Sequence, residues 1–369
     1  MQFSCSTQKL MEALQIATKA LANRTSNQIL EGILIEALED RLQLTCSDER
    51  MTIVTCIDAD IEEQGRGVVP GKLFTEIVRR LQDGTVNIKM NERFVFVIRS
   101  AGSRTNIAGQ DADLYPRLPR LENEREISLP QDMLRDMIQK TEFAIAQDDM
   151  REVLTGALLE IVNGDVTMVA LDGYRLALCK AQCSDVLEKF NAIIPGRAIG
   201  EIGKLLSDKE DAFAQLSFGS GKLHIGLEDT DIYVILVEGE YVQYRQILPA
   251  SFGTRVTVDL DPFRRCIDRA ALIAREGSNN LIILRIEDGV MVIEAHSQIG
   301  DVREELEVQQ QGAAIKIAFN VKYMSDVVRY INAERIELNM NNSVSPCIIT
   351  PEGDHNYLHL ILPVRTGGK

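Results

Sequence analysis

The residues that could carry out chemistry are few and lie far apart in the sequence. The closest two of the four histidines, His355 and His359, flank a predicted strand, and this spacing does not favour a metal site. The segment Gly219-Ser-Gly-Lys222 is too short for a phosphate-binding loop and is typical of a hairpin turn. No serine or cysteine has the sequence context of a hydrolase nucleophile. These observations predict a binding scaffold without catalytic residues, metal or cofactor.

Composition predicts a cytoplasmic protein of several domains. The 369 residues suffice for two or three domains, and the hydrophobic and charged fractions of 45% and 26% are ordinary for globular domains. Seven cysteines, an odd number without Cys-x-x-Cys spacing, predict reduced and mostly buried thiols. The longest apolar runs have the length of strands, and the first residues lack the pattern of a signal peptide. Neither a membrane partner nor secretion is expected.

Three consecutive segments share one order of elements. Each opens with a short strand and an amphipathic helix, continues with alternating strands and a second helix, and closes with hairpin-like strands. The second helix follows Pro70, Pro195 and Phe319, which are 125 and 124 residues apart. This constant period predicts three copies of one α+β unit. The predicted domains are 1–122, 127–250 and 251–369, and the predicted helices run over about 6–21, 71–82, 130–146, 195–206, 261–275 and 321–331.

The charge is distributed unevenly. The net charge of −15 alone argues against a nucleic-acid partner. The six predicted helices nevertheless hold 15 basic and nine acidic residues, so they carry +6 while the rest of the chain carries −21. One interpretation is that these helices expose lysine and arginine on a solvated face. The other is that they form a basic surface for sequence-independent contact with phosphates.

Five sequence segments together carry a family resemblance that no single one would establish. They are ALDGYRLA at 170–177, YVQYRQILP at 241–249, NVKY at 320–323, NSVSP at 342–346 and LILPVR at 360–365. Along essentially its whole length the chain resembles the bacterial DNA polymerase III subunit beta (beta sliding clamp) family. The resemblance implies a non-enzymatic processivity factor that encircles duplex DNA and tethers a polymerase.

The same resemblance implies a ring. Two subunits would join head to tail, each with three clamp domains that place two helices on a curved antiparallel sheet, so that twelve helices line a hole. The implied dimer contacts are Thr105 and Ile107 on one side, where Thr105 replaces a larger apolar residue, and Leu272 and Ile273 on the other. Arg24 and Arg197 match DNA-contact positions of the family, and the argument from the helices adds Lys72, Arg79 and Arg80.

The family also has a groove for short linear peptides of the polymerase III alpha-type subunit, the clamp loader, other polymerases and mismatch-repair proteins. Without the resemblance, Leu360 to Leu362 would be interpreted as a core strand. Tyr174, Val242 and Pro346 replace a common His, Pro and Ser, which could shift peptide preference but should leave the groove apolar. The implied lining is Leu154, Leu171, Gly173, Tyr174, Arg175, Leu176, Val242, Asn320, Tyr323, Val344, Pro346, Leu360, Ile361, Leu362, Pro363, Val364 and Arg365.

Three alternatives remain open from the sequence. The chain could be a peptide-binding hub that never touches DNA, an enzyme with dispersed catalytic residues, or a second, non-essential copy of a clamp. For the clamp itself, the expected location is the cytoplasm, in association with the nucleoid.

Overall fold

The computed structural model describes residues 1–119, 121–122, 125–147, 151–183, 189–277 and 280–365. Within these ranges, all six predicted helices are present and every pairing between strands is antiparallel. The predicted α+β class is therefore confirmed. None of the helices in these ranges is long and apolar enough to cross a membrane.

The first repeat begins with a strand that leads directly into a capped helix. The Ser6 side chain accepts a hydrogen bond from the Lys9 backbone N–H at 3.4 Å, and Leu10 and Leu14 lie on the buried face of the helix. The elements are β1 (Gln2–Ser6), α1 (Thr7–Ala17), β2 (Gly32–Ala37), β3 (Arg41–Ser47), β4 (Met51–Asp58), β5 (Asp60–Glu63), β6 (Gly65–Pro70), α2 (Gly71–Arg79), β7 (Thr85–Met90), β8 (Val95–Ser100) and β9 (Ser103–Ala108).

The second repeat follows the same order, and its first strand pairs with the strand after its second helix, as β1 pairs with β7 in the first repeat. Ile127 of its first strand lies opposite Leu216. The elements are β10 (Arg125–Pro130), α3 (Gln131–Thr141), β11 (Gly156–Val162), β12 (Asp165–Leu171), β13 (Arg175–Gln182), β14 (Lys189–Pro195), α4 (Gly196–Leu205), β15 (Phe213–Gly219), β16 (Lys222–Gly226) and β17 (Thr230–Ile235).

The third repeat contains the longest helix, whose buried face includes Phe263, Ile267 and Ala271. The elements are β18 (Thr254–Asp259), α5 (Leu260–Ala274), β19 (Leu281–Glu287), β20 (Val290–His296), β21 (Asp301–Glu307), β22 (Gln309–Gly312), β23 (Ile315–Asn320), α6 (Val321–Tyr330), β24 (Arg335–Met340), β25 (Cys347–Pro351) and β26 (Tyr357–Ile361).

Helices α1 and α3 fall furthest short of their predicted ends at residues 21 and 146. Helix α1 stops at Ala17 and α3 at Thr141, and each is followed by a short 3-10 turn. The Thr18 hydroxyl donates to the Leu14 carbonyl at 2.6 Å, and the Thr141 hydroxyl donates to the Met137 carbonyl at 2.7 Å. These side-chain bonds compete with the backbone ladder, so the last turn tightens.

The chain groups into two compact units, Met1–Asp132 with Lys204–Leu236 and Met133–Gly203 with Val237–Lys369. The first unit contains sheets of order β5-β1-β7-β8-β9 and β10-β15-β16-β17-β4-β3-β2-β6. The second contains sheets of order β14-β11-β12-β13-β26-β25-β24-β18-β22 and β21-β20-β19-β23. Strands of neighbouring repeats therefore pair with each other, β4 with β17 and β13 with β26. The domain limits 1–122, 127–250 and 251–369 stay predictions.

His359 on β26 is a polar residue inside the core of the second unit. Its side chain is 1% exposed, and neither ring nitrogen has a hydrogen-bond partner among the described residues. The ring centroid lies 4.5 Å from that of Tyr357 and 5.4 Å from that of Phe143. Burial, with a smaller contribution from Arg175, lowers the pKa of His359 to about 3.

We predict that His359→Leu makes the protein less sensitive to acid. The pKa of His359 in the folded state is below the ordinary value of 6.5. Below pH 6.5 the imidazole is therefore protonated in the unfolded chain but stays neutral in the folded chain. This group therefore lowers stability as the pH falls from about 6.5 towards 3, by up to about 1.4 kcal/mol per pH unit. The fall in thermal midpoint between about pH 7 and pH 5 should shrink in the variant but not in a His355→Leu control, which changes an exposed ring. An equal fall in the two variants would contradict this assignment.

Candidate binding groove and charged surfaces

A tight turn joins β12 to β13 at residues 172–175. The Asp172 carboxylate accepts hydrogen bonds from the backbone N–H groups of Tyr174 and Arg175, at 2.9 and 3.0 Å. Gly173 has a φ of 87°, a left-handed conformation that favours glycine. The turn therefore holds Tyr174 at its outer corner, where the side chain is 62% exposed.

Arg175 is a buried connection between this turn and helix α6. Its Nε donates to Asp172 at 3.0 Å, and its guanidinium forms an ion pair with Asp326 of α6 and donates to the Phe143 carbonyl. The guanidinium also lies 4.8 Å from the centre of the Tyr323 ring. Because only 8% of Arg175 is exposed and its donors are engaged, it connects the turn to helix α6 and does not offer a free charge to a ligand.

The segment that follows β26 bonds to the turn 172–175 and to strand β23 of the third repeat. Arg175 pairs with Ile361, and the Leu362 N–H donates to the Tyr174 carbonyl at 2.8 Å. Two residues later, the Val364 N–H donates to the Ala318 carbonyl at 2.8 Å. These backbone bonds fix the partly buried segment 362–364 to the turn and to β23.

Six of the predicted groove residues belong to one hydrophobic cluster. The most enclosed members, Leu154, Leu171, Leu176 and Leu360, are between 0% and 4% exposed. The partly buried Val242 and Leu362 pack against them, so these two offer the apolar surface that a ligand could reach. The sequence did not single out the partly buried cluster members Val153, Val237, Leu248, Phe252 and Leu358.

Two tyrosines hold the segment that contains Val242. The Tyr241 hydroxyl approaches the Val169 carbonyl at 3.4 Å, and the Tyr244 hydroxyl donates to the Glu160 carboxylate at 2.9 Å. Burial raises the pKa of both phenols, so both remain neutral donors at physiological pH. Both lie within a segment that carried the resemblance, but nothing in the sequence marked them as the anchors of Val242.

The remaining predicted groove residues have mixed roles. Tyr174 and Tyr323 stack with ring centroids 6.2 Å apart, and Val344 is 57% exposed. The Asn320 side chain caps α6 by accepting from the Lys322 N–H at 2.9 Å, so its oxygen is already engaged. Ile361 is fully buried, Pro346 precedes the residue that pairs with Ile361, and Pro363, Val364 and Arg365 follow β26 in the chain.

The predicted DNA contacts are all exposed and basic. The six helices as observed hold twelve basic and eight acidic residues, so their excess of positive charge persists with the observed boundaries. Arg79 and Arg80 both form ion pairs with Glu76, which neutralises part of their charge. The five exposed side chains are Arg24, Lys72, Arg79, Arg80 and Arg197.

The four predicted dimer residues differ in exposure. Leu272 on α5 is 66% exposed and Ile273 is half-buried. Thr105 is half-buried, whereas only 4% of Ile107 is exposed within its own protomer. Thr105 and Ile107 lie on β9, the last strand of its sheet, so that strand could add backbone bonds as well as side chains to an interface.

Comparison with known proteins gives one consistent answer. Family models match residues 1–119 (DNA polymerase III beta subunit, N-terminal domain), 128–243 (central domain) and 245–365 (C-terminal domain). The chain is 35% identical to the beta sliding clamp of Staphylococcus aureus, covering 99% of this chain and 100% of that protein. The beta sliding clamp of Staphylococcus epidermidis is 33% identical over the same shares.

Solved structures of sliding clamps are similar to this chain in both sequence and fold. The DNA polymerase sliding clamp of Bacillus subtilis is 31% identical, with a TM-score of 0.95 and 99% of both chains covered. A structure described as a putative DNA polymerase III beta subunit from Eubacterium rectale is 33% identical, with a TM-score of 0.94 over 99% of this chain and 100% of that one. These findings confirm the resemblance and support a non-catalytic role in DNA replication. The chain belongs to the DNA polymerase III beta subunit family, the beta sliding clamps.

Proposed function

We propose that this chain closes into a six-domain ring by head-to-tail dimerisation, encircles duplex DNA and tethers the replicative polymerase to it. The observation that carries the proposal is the match of three consecutive clamp domains over nearly the whole chain, together with the open apolar cluster in the second unit. The ring would act at the nucleoid in the cytoplasm, wherever DNA is copied.

The groove would bind a short linear peptide through apolar anchors. Leucine or phenylalanine side chains of the peptide would pack on Val242 and Leu362, above the buried leucines of the cluster. The exposed Tyr174 and Val344 would border the peptide. The proposed partners are the polymerase III alpha-type subunit, the clamp loader, other polymerases and mismatch-repair proteins.

DNA would be held without sequence preference. The basic side chains at Arg24, Lys72, Arg79, Arg80 and Arg197 would contact phosphates, while the net charge of −15 disfavours DNA elsewhere on the protein. Weak and exchangeable contacts of this kind leave the ring free to slide, because topology rather than affinity prevents its escape.

The ring is tested by loading the protein onto a nicked plasmid with a bacterial clamp loader. We expect the protein to co-migrate with the circular DNA through gel filtration and to dissociate when the circle is cut by a restriction enzyme. Binding that persists equally on circular and linear DNA would contradict topological tethering.

The groove is tested with Leu362→Asp. A buried carboxylate beside the peptide anchor should weaken binding of a polymerase tail peptide that contains leucine and phenylalanine by at least about tenfold, or about 1.4 kcal/mol. The matched control is Ile235→Asp, because Ile235 makes the corresponding backbone bond in the first unit, its N–H donating to the Arg50 carbonyl at 2.9 Å. Isothermal titration should give unchanged affinity for the control. Equal affinity of the Leu362 variant and the unaltered protein would remove Leu362 from the site.

The phosphate contacts are tested with Lys72→Gln and Arg197→Gln. Each lost contact should reduce the slope of log affinity against log salt concentration by about 0.9, measured by fluorescence anisotropy with duplex DNA. Arg79 and Arg80 share an ion pair with Glu76, so the loss of either should change the slope by less. Lys89→Gln, on the exposed face of β7, should leave the slope unchanged. A slope that does not change in either test variant would contradict these contacts.

A further inference from the structure

An open cleft of about 480 Å³ lies in the first unit beside helix α1 and strand β4, and we call it the α1 cleft. The buried residues that line it are Ala13, Thr55 and Thr230. Its half-buried lining residues are Ile16, Cys56 and Ile57, and its exposed charged residues are Lys9, Glu12, Asp40, Arg41, Asp58 and Asp229. The volume is typical of a small-molecule site. The candidate groove lies in the other unit, so the α1 cleft is a separate site.

The second unit has the same pair of strands at the equivalent place. Thr55 lies opposite Thr230 where β4 pairs with β17. Cys179 lies opposite Tyr357 where β13 pairs with β26. Thr230 and Tyr357 are each the first residue of the closing strand of their repeat, so Tyr357 is the counterpart of Thr230.

A backbone bond beside each pair supports this equivalence. The Cys56 N–H donates to the Asp229 carbonyl at 2.9 Å, and the Lys180 N–H donates to the Asn356 carbonyl at 2.7 Å. In both units the donor follows the first member of the pair and the acceptor precedes the second member. The two strand contacts therefore have the same register.

Helices α1 and α3 are equivalent as well. Each has 11 residues and follows the first strand of its repeat. The N–H of the first residue, Thr7 or Gln131, donates to the carbonyl of the residue before the strand that follows the second helix. These acceptors are Gly84 at 2.8 Å and Ala212 at 2.9 Å. Thr7 and Gln131 therefore correspond, and so do the residues that follow them in each helix.

In the second unit an aromatic ring fills the place of the cleft. Tyr357 is buried, and its hydroxyl donates to the Lys140 carbonyl of α3 at 3.2 Å. The Lys140 ammonium lies 5.2 Å from the centre of the Tyr357 ring and forms an ion pair with Asp136 at 2.6 Å. A phenol ring, an ammonium group and a carboxylate are thus packed together.

The first unit lacks two of these three groups. Thr230 stands in the place of Tyr357 and Ile16 in the place of Lys140, whereas Glu12 keeps the carboxylate of Asp136. Thr230, Ile16 and Glu12 all line the α1 cleft. The cleft therefore corresponds to the space that a phenol ring and an ammonium group occupy in the second unit.

The charges around the α1 cleft favour a cation. Four of the six neutralise one another in two ion pairs, Lys9 with Asp58 at 2.7 Å and Arg41 with Asp40 at 3.1 Å. Glu12 and Asp229 are left, and neither has an ion pair within the described part of the chain. The Glu12 carboxylate accepts a bond from the neutral Gln8 amide at 3.0 Å, which leaves its charge uncompensated.

We propose that the α1 cleft binds a phenol ring that carries an ammonium group. The ring would lie against Ala13 and Ile16, beside the hydroxyls of Thr55 and Thr230, which bond to each other at 2.9 Å. The phenol O–H would donate to the Ile16 carbonyl, the counterpart of the Lys140 carbonyl. The ammonium group would pair with Glu12.

This site goes beyond the proposed tethering function and does not depend on the ring. The same chemistry has two sources, a free aromatic amine and a tyrosine beside a lysine in a peptide. The probe for the first is tyramine, and the probe for the second is a short acetylated and amidated peptide with adjacent tyrosine and lysine. The matched compound without the ammonium group is 4-ethylphenol.

We expect tyramine to bind the full chain saturably, with a Kd on the order of 1 mM or below, as is ordinary for a ligand of about ten non-hydrogen atoms. Saturation-transfer NMR titrations would measure it. 4-Ethylphenol should bind at least about threefold more weakly, because it cannot pair with Glu12. A peptide that binds more tightly than tyramine identifies a protein segment as the natural occupant, and one that binds more weakly identifies a small molecule.

Two variants test the assignment of residues. Thr230→Tyr places in the cleft the side chain that fills it in the second unit, and it should weaken tyramine binding by at least about tenfold without lowering the thermal midpoint. Glu12→Gln should weaken tyramine by at least about threefold and leave 4-ethylphenol unchanged. The matched control is Glu92→Gln, an exposed carboxylate between β7 and β8, which should change neither affinity.

The absence of saturable tyramine binding up to about 10 mM would overturn the proposal. So would unchanged binding to a folded Thr230→Tyr variant. If that variant does not fold, Glu12→Gln decides alone, because an unchanged tyramine affinity, or an equal loss for tyramine and 4-ethylphenol, contradicts the placement of the ammonium group at Glu12.

Discussion

A strand at the edge of a sheet leaves a row of backbone N–H and C=O groups unpaired, and the architecture of this protein depends on how those groups are satisfied. The closing strand of the second repeat pairs with the first repeat, and that of the third pairs with the second. The repeats are thus joined by antiparallel ladders as well as by the covalent chain.

The candidate groove lies where one of these ladders continues beyond its strand, through the bond from the Leu362 N–H to the Tyr174 carbonyl. Whether such a site is apolar depends on the side chains that each repeat carries at the two positions that flank the turn. The turns 48–51 and 172–175 share a backbone bond from the first N–H to the last carbonyl, so Leu171 and Leu176 in the second unit correspond to Ser47 and Thr52 in the first. The hydroxyls of Ser47 and Thr52 bond to each other at 2.8 Å. The same backbone geometry therefore carries two leucines of an apolar cluster in the second unit and a hydrogen-bonded pair of hydroxyl side chains in the first. Sequence divergence between repeats, rather than a change of fold, separates the candidate peptide site from its counterpart.

The helices and the repeat were predictable from the sequence because both depend on local periodicity. The pairing of strands between repeats was not, because β4 and β17 are well over a hundred residues apart and no local pattern specifies their contact. The candidate site was predictable only through family resemblance. Even then, the motif could not show that Arg175 is locked between Asp172 and Asp326, nor that Asn320 serves as a helix cap. Those roles depend on atoms that tertiary structure brings together.

The acidic residues along β21 also bear on incorrect assembly. Two copies of β21 placed edge to edge would oppose rows of carboxylates, and two copies of β9 would bring Arg104 residues together. In the proposed ring, opening for loading would expose both edges at once, with other copies of the chain nearby. The charges would then discourage each edge from pairing with a second copy of itself.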